Sequence, residues 1–433
     1  MSKKIIILGA GISGLSAGYH LKQSGIETVI YEKEQTYGGL CNNFQINGFR
    51  FDKFVHFLHT KNEYVLNILT NNCPYYIHPP VATNYYHGIY IKNPPINNLF
   101  PLNIDEKIKI IEDFVNKPVN KVISNYRDWL VSTYGIYFTE KFFETYTNKY
   151  WTVSTDKLST SWIMNRLYKP TLKEVLYGAF TSETPVVYYS DKMRYPKKGG
   201  FKSFLSNLVK YNNIIYGKEV EYIDIKSRKI YFNDGSEENY DILISSLPLP
   251  EIVYKIIKAP KNILELGDLL SYTSGVLVSL GLKKINIKKY MWMYIYDLEI
   301  LPSRIYFPHL KSEDNVPNGY KSLQAEIYFS KYKILDFKDE EILDTVISQL
   351  IEIGLFEKED IVLADVRREK YANVIYDKYI YKSRKEIHKF LKKNNIFCIG
   401  RFGLWAYLWT DQSFISGKKI SEIVYNKVYD NAL

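Results

Sequence analysis

Three glycines and one acid near the start carry the strongest chemical implication in the chain. Gly9, Gly11 and Gly14 stand as G-x-G-x-x-G directly after the apolar run 5–8; a helix-forming stretch (15–24) follows, and Glu32 ends a second apolar run. Gly9 permits the tight turn, Gly11 lets backbone approach a pyrophosphate, and Gly14 allows helix and strand to pack closely. Ser13, at the helix start, sits among N–H groups that offer a partial positive charge to phosphate. Glu32 is placed to accept hydrogen bonds from a ribose hydroxyl. A chance glycine turn would not come with strand, helix and acid in register, so the segment implies dinucleotide binding. Toward the other end, Gly400-Arg401 closes the apolar run 396–399, and Thr410-Asp411-Gln412-Ser413 opens a helix. That helix start can cap itself through Thr410 or Asp411. It can also present N–H groups to a pyrophosphate or a ring carbonyl.

Positioning these groups calls for a parallel sheet assembled from separated pieces. Residues 1–72 supply the first. A second, 195–250, starts at the Lys198-Gly199-Gly200 turn and leads into a helix-like 201–210, strand signals at 214–216, 218–225 and 229–232, and a buried strand at 241–246. A third, 380–433, holds the strand before Gly400 and a terminal helix over 411–427. Between them, 73–194 is expected to be mainly helical and aromatic. Residues 251–379 are expected to form an antiparallel sheet from strands at 275–282, 290–296, 304–308 and 322–329, with an amphipathic helix at 338–353. The predicted fold class is α/β: a discontinuous Rossmann-like lobe with a helical insertion and an antiparallel-sheet substrate lobe.

Composition narrows the function classes. The chain has 433 residues, enough for two or three lobes and a sizeable core. It has no apolar run of spanning length, so no transmembrane segment is expected. Met1 to Lys4 lead straight into the first strand, and a cleavable leader would have to contain the phosphate loop, which points to the cytoplasm. Cys41, Cys73 and Cys398 lack metal-ligand spacing and read as reduced thiols, and no metal site is expected. The net charge of +10 is spread in lysine runs no longer than two, without a nucleic-acid motif, so nucleic acid is not an expected partner.

The run from Glu32 and Lys33 through Gly38, Gly39 and Leu40 resembles the FAD-binding continuation of amine-oxidase-like flavoproteins. Phe51-Asp52-Lys53-Phe54-Val55-His56-Phe57-Leu58-His59 is similar to their "FDxGGHxxH" segment, which passes close to the flavin. Phe54-Val55 stand where small residues are usual, and bulk there changes how closely the backbone can approach the ring. The expected cofactor is FAD. Its expected contacts are Gly9, Gly11, Ser13, Gly14, Glu32, Lys33, Gly38, Gly39, Leu40, His56, Val220, Gly400, Arg401, Asp411, Gln412 and Ser413. Trp405, Tyr407 and their neighbours in 404–409 would then lie across the flavin as walls of a substrate cavity, some of them filling core instead.

The middle of the chain resembles UDP-galactopyranose mutase, a member of the amine oxidase and protoporphyrinogen oxidase superfamily. Tyr146-Thr147-Asn148-Lys149-Tyr150-Trp151 is similar to that family's "YTxKxW", and 56–60 to its "HIFHT". Tyr189-Ser190-Asp191 is similar to "FSD", Pro302-Ser303-Arg304-Ile305 to "YTRI", and Gly400-Arg401 with Gln412 to its "GR…Q" end. The resemblance implies a substrate set of Tyr146, Trp151, Arg166, Lys169, Tyr189, Arg304, Tyr371, Trp405 and Tyr407. In it, Arg304 and Tyr371 meet the diphosphate, and Tyr146 and Trp151 lie at the nucleotide. It also implies a catalytic set of His56, Arg304 and Tyr371. Departures count against a straight transfer. The second diphosphate arginine falls near 168–170, so Arg166 or Lys169 would have to serve. Leu404 to Trp409 replaces "EYKYYD", which suggests a different or deoxygenated nucleotide sugar.

The implied function is a flavin-dependent mutase that interconverts pyranose and furanose forms of a nucleotide diphosphate sugar. It would work through a flavin N5 adduct, needing reduced FAD and giving no net redox change. Such activity belongs to polysaccharide biosynthesis, and a homodimer stays open. The alternative is an FAD oxidoreductase acting on an amine, tetrapyrrole or polyene, with Phe54, Trp405 and Trp409 walling an apolar cavity. The bulkier flavin face favours the oxidoreductase. The Tyr146–Trp151 segment and Arg304 favour the mutase.

Overall fold

Strand Ile5–Leu8 lies at the centre of a five-stranded parallel sheet in the computed structural model, which describes residues 3–118, 122–163, 166–187, 190–287 and 290–429. All four of its residues are buried, as an all-apolar run flanked on both sides requires. Ile242–Ser245 pairs on one side and Val29–Tyr31 on the other; Ile396–Cys398 and Asn213–Ile215 complete the sheet. Three distant pieces of sequence thus meet in one sheet, and the α/β class is as expected. Helix Ile12–Gln23 covers this sheet and packs on the terminal helix Thr410–Tyr429.

A seven-stranded sheet forms the second layer. Its order is Ile361–Val374, Tyr272–Leu282, Lys321–Phe329, Arg304–Tyr306, Trp292–Ile295, Ala82–Tyr86 and Ile89–Lys92. Strand alternation divides its residues cleanly. Val276, Val278, Leu280, Leu323, Ala325 and Ile327 pack with Ile342, Val346 and Leu350 of helix Asp339–Glu352. Their neighbours, among them Gly275, Leu277, Glu326 and Tyr328, therefore face the opposite side. Over that side lies a helical lobe comprising Ile104–Val115, Tyr126–Tyr134, Ile136–Phe138, Thr145–Tyr150 and Leu172–Phe180. A π-helical turn, Thr139–Glu144, precedes Thr145–Tyr150.

The sequence-based expectation differs at three places. Ile361–Val374 is a strand of 14 residues at the sheet edge, where charged Asp365, Arg367, Arg368 and Glu369 break the apolar pattern, Arg367 and Arg368 exposed and Asp365 and Glu369 half-buried. The hairpin 82–92 belongs to the seven-stranded sheet, not to the helical lobe, and Tyr75–His78 pairs with Met193–Pro196. The stretch 201–210 is a 3-10 turn, Phe201–Leu205, followed by the short helix Ser206–Val209.

At Gly417 the terminal helix touches the first one. A Cβ there would sit 2.4 Å from the Ser13 carbonyl oxygen and 2.7 Å from the Ala17 nitrogen. Alanine would improve intrinsic helix propensity by up to about 1 kcal/mol, but overpacking against backbone costs about 1–3 kcal/mol. Gly417→Ala is therefore expected to lower stability in chemical denaturation; an unchanged or higher midpoint would contradict this packing.

Candidate active site

One cavity of about 1270 Å³ runs from the glycine loop to the helical lobe. Small-molecule pockets commonly hold ~300–1,000 Å³, so this one has room for a dinucleotide and a second ligand. At the first end, Gly9 adopts φ +94°, and a Cβ on it would lie 2.3 Å from Ser246 Oγ. Gly14 meets the Gly9 carbonyl oxygen so closely that a Cβ would stand 2.0 Å from it. A Cβ on Gly11, by contrast, would meet nothing within 4 Å: its backbone opens onto the cavity. Glu32 is buried and accepts hydrogen bonds from the Ala10 N–H (2.7 Å) and the Glu34 N–H (3.0 Å). Burial raises its carboxyl above the ordinary range, and these two donors oppose that rise. The free backbone at Gly11 and the oriented carboxylate of Glu32 suit a pyrophosphate and a ribose.

Most expected cofactor residues line this end: Gly9, Gly11, Ser13, Glu32, Lys33, Gly38, Gly39, Leu40, His56, Val220, Gly400, Arg401 and Ser413. Three do not. Gly14 supports the loop from behind. Asp411 turns away to accept a hydrogen bond from Thr60 Oγ1 (2.8 Å), and Gln412 is exposed, its side-chain oxygen accepting the Trp409 N–H. The helix begins at Thr410, so the cavity receives Thr410 and Ser413, one turn apart, rather than the two residues between them.

His56 lies where the two ends meet. Its ring rests 5.1 Å from Phe201, and burial lowers its pKa to about 4, so the imidazole is neutral at pH 7. Beneath it, Asp52 forms a fully buried ion pair with Lys311 (2.6 Å) and accepts hydrogen bonds from the Tyr195 hydroxyl (2.8 Å) and the Phe201 N–H (3.1 Å).

Aromatic rings and cations make the far end. Tyr146, Tyr150, Trp151, Trp162, Tyr294, Tyr296 and Tyr407 line it, with Phe138, Phe142 and Phe143 supplied around the π-helical turn. The indole Nε1–H of Trp162 and the hydroxyl of Tyr146 are buried without a hydrogen-bond partner among the described residues. Arg304 is gripped by Glu326 through Nε (2.7 Å) and Nη2 (2.6 Å), and Glu326 also accepts the Val55 N–H (2.8 Å). Burial pulls the guanidinium's pKa down, but Glu326 holds it well above the ordinary value. The Arg166 guanidinium lies 4.4 Å from both the Tyr407 and Trp409 ring centres, and Arg401 lies 4.6 Å from Tyr407. Lys169 also reaches the cavity. Glu326 does not line the cavity and stands behind Arg304.

Trp405 corrects the expectation for the 404–409 run. It is fully buried behind the wall, with Tyr272, Tyr371 and Phe402 about it at 6.2, 6.3 and 6.1 Å, so it fills core and cannot touch a ligand. Tyr407, Leu408 and Trp409 are the members that face the cavity. Tyr371 lines it too, its hydroxyl pKa raised by burial and by Glu251. Tyr189 lies outside the described residues. Sequence reading missed Glu326 and Tyr328, although the alternation of 322–329 puts both on one face, and it missed Trp162 and Phe142, which have no motif. One further cluster, His87, Asp297 and Glu299, brings its ligand atoms within 4.8 Å, but the Asp297 carboxylate already accepts the His87 N–H.

Residues 7–71 match the family model of an NAD(P)-binding Rossmann-like domain. The whole fold is similar to reduced UDP-galactopyranose mutase, with a TM-score of 0.93 and 22% identity over 99% of this chain and 94% of that one. It is also similar to a provisionally named protoporphyrinogen oxidase from Exiguobacterium sp. 255-15, with a TM-score of 0.75 and 15% identity over 99% of each chain. The zeta-carotene-forming phytoene desaturase of Myxococcus xanthus is 40% identical over 50 residues, which are 12% of this chain and 10% of the relative. The match to this curated relative thus spans about a tenth of its length. The class is a Rossmann-type nucleotide-binding fold joined to a helical lobe and a sheet that is antiparallel except where Trp292–Ile295 pairs in parallel with Ala82–Tyr86. Within that class, the chain shares its fold with reduced UDP-galactopyranose mutase and, less closely, with the Exiguobacterium protein. No described helix is long and apolar enough to cross a membrane.

Burial lowers His56, His309 and His388 to about 4 each. Between pH 4 and the ordinary histidine value of about 6.5, the unfolded chain binds protons that the folded chain refuses. Stability is therefore complete above that window and is lost as the pH falls through it. Urea midpoints are expected to drop from pH 7 to pH 5; a flat profile would contradict the buried, neutral imidazoles.

Proposed function

We propose that the chain is an FAD-dependent mutase that interconverts ring forms of a nucleotide diphosphate sugar. The observation that carries this reading is the set of cations beside the aromatic rings: Arg166, Lys169, Arg304 and Arg401 line a cavity whose flat walls suit a base. An apolar substrate offers these N–H donors no acceptor, whereas a diphosphate offers several, in charge-assisted hydrogen bonds. FAD fits the other end on the grounds of the open backbone at Gly11, the ribose-facing Glu32 and the length of the cavity.

When bound, reduced flavin supplies the nucleophile for exchange at the anomeric carbon. The chain's own residues do the rest. Arg304, held in one orientation by Glu326, donates to the diphosphate and stabilises it as the leaving group. Arg166 and Lys169 share that charge. Trp151 and Tyr146 pack against the base, and Tyr146 and Trp162 have hydroxyl and indole N–H groups to spare for its carbonyls. Neutral His56 is no general acid at pH 7, in keeping with a reaction that needs no proton donor from the protein. The rings around the π-helical turn exclude water from the bound sugar.

A second reading, an oxidoreductase of polyenes or amines, is favoured by those same rings and by the amino-terminal identity to a desaturase. Chromatography of UDP-galactose incubated with the holoenzyme separates the two. Isomer appearing only after dithionite reduction is expected of a mutase. Bleaching of oxidised flavin by a polyene, with no isomer, would replace that reading with the second. Arg304→Ala is expected to weaken nucleotide-sugar binding by roughly 2–5 kcal/mol, read by calorimetry on protein whose flavin content is unchanged; an unaltered Kd would remove Arg304 from the site.

A further inference from the structure

We propose that Phe54 is a specificity-determining residue that favours, where the cofactor and substrate ends meet, a sugar with a deoxygenated, apolar carbon over its hydroxylated counterpart. The inference rests on the nucleotide-sugar reading and deepens it.

Phe54 has φ +63°, a left-handed conformation that is rare for an aromatic residue and costs glycine nothing. Such an outlier persists when its surroundings over-determine it. Here they do so twice. The next residue's N–H is tied to Glu326 (2.8 Å), and the ring is seated in a notch cut for it in the sheet: a Cβ on Gly275 would lie 2.6 Å from the Phe54 ring. Glycine inside a strand costs order, so both the strained residue and the strand glycine serve the same ring. That ring lies 5.9 Å from Tyr328 and nearly parallel to it, at 8°.

The ring's surroundings are apolar. Leu277, Tyr328 and Ala372 form a buried cluster with it, and Leu40 and Tyr150 pack on that cluster. Leu40 belongs to the glycine-pair turn of the cofactor end; Tyr150 lies under the Arg304 guanidinium at 5.8 Å. Phe54 therefore stands at the junction of the two ends and lines the cavity there. Both hydroxyls nearby are engaged: that of Tyr150 donates to Asn373 Oδ1 (3.2 Å), and that of Tyr328 donates to Glu326 (2.6 Å) and accepts from Arg304 (3.3 Å). Glu326 in turn receives Arg304, Val55 and Tyr328 together. A sugar hydroxyl pressed against Phe54 would be buried without a partner, whereas a methyl group would gain contact.

The test is calorimetric binding of three probes to the reduced holoenzyme: UDP, UDP-galactose and its 6-deoxy counterpart UDP-fucose. The wild type is expected to bind UDP-fucose roughly tenfold tighter than UDP-galactose. Phe54→Gly, whose backbone suits the left-handed turn, should bring the two within about twofold while leaving UDP affinity unchanged. Gly275→Ala, which drives the ring into the cavity, should weaken both sugars and spare UDP. Equal affinities in the wild type, or a preference that survives in Phe54→Gly, would overturn the proposal while leaving UDP binding, and so the nucleotide reading, intact. Wild-type holoenzyme that binds none of the three would end the nucleotide reading and this inference with it.

Discussion

A single buried carboxylate joins the two ends of the cavity. Glu326 holds both nitrogens of Arg304's fork, the backbone N–H of the loop that faces the cofactor, and the hydroxyl of Tyr328. Removing two charges from water costs several kcal/mol per ion, and their attraction often no more than offsets it. The pair is thus weak support for stability and strong support for position. With Glu326 Oε2 receiving Nε, Nη2 and the Tyr328 hydroxyl, and Oε1 receiving the Val55 N–H, the guanidinium is oriented relative to Val55 and His56. A phosphate held by Arg304 would inherit the same fixed distance to the cofactor end, which is what proximity catalysis requires.

A second buried pair, Lys311 with Asp52, anchors the other side of that loop. Asp52 also accepts from Tyr195 and from the backbone of Phe201, so the segment from Asp52 to Val55 is held at one end by Asp52 and at the other by Glu326. Between the pins the chain passes through Phe54 in its left-handed turn. Strain of this sort is tolerated where neighbours over-determine the conformation, and two buried carboxylates with several donors each do so.

Much of this was legible from residue order. The glycine turn with Glu32 named the dinucleotide end because its logic is local: strand, turn, helix and acid lie within thirty-two residues. The strands carrying Arg304 and Glu326 showed through alternation alone. What escaped depends on long-range packing. Ile361–Val374 reads as polar because an edge strand keeps one face in water, and the hairpin 82–92 is short and joins strands two hundred residues away. Trp405 and Trp409 look alike in sequence; only the turn at 404–408 decides that one is core and the other faces the cavity. The aromatic end has no motif, since its rings come from the helical lobe, the strand Trp292–Ile295 with the residue after it, and the carboxyl-terminal loop, and only the fold brings them together.

A crystal structure of the flavin-loaded protein soaked with UDP shows whether the cationic, aromatic end holds a nucleotide diphosphate against Arg304. Diphosphate oxygens are expected at charge-assisted hydrogen-bond distance, about 2.7–2.9 Å, from the Arg304 guanidinium, with uracil among Tyr146, Trp151 and Trp162. UDP bound elsewhere, or absent while an apolar molecule fills the aromatic end, would contradict this placement.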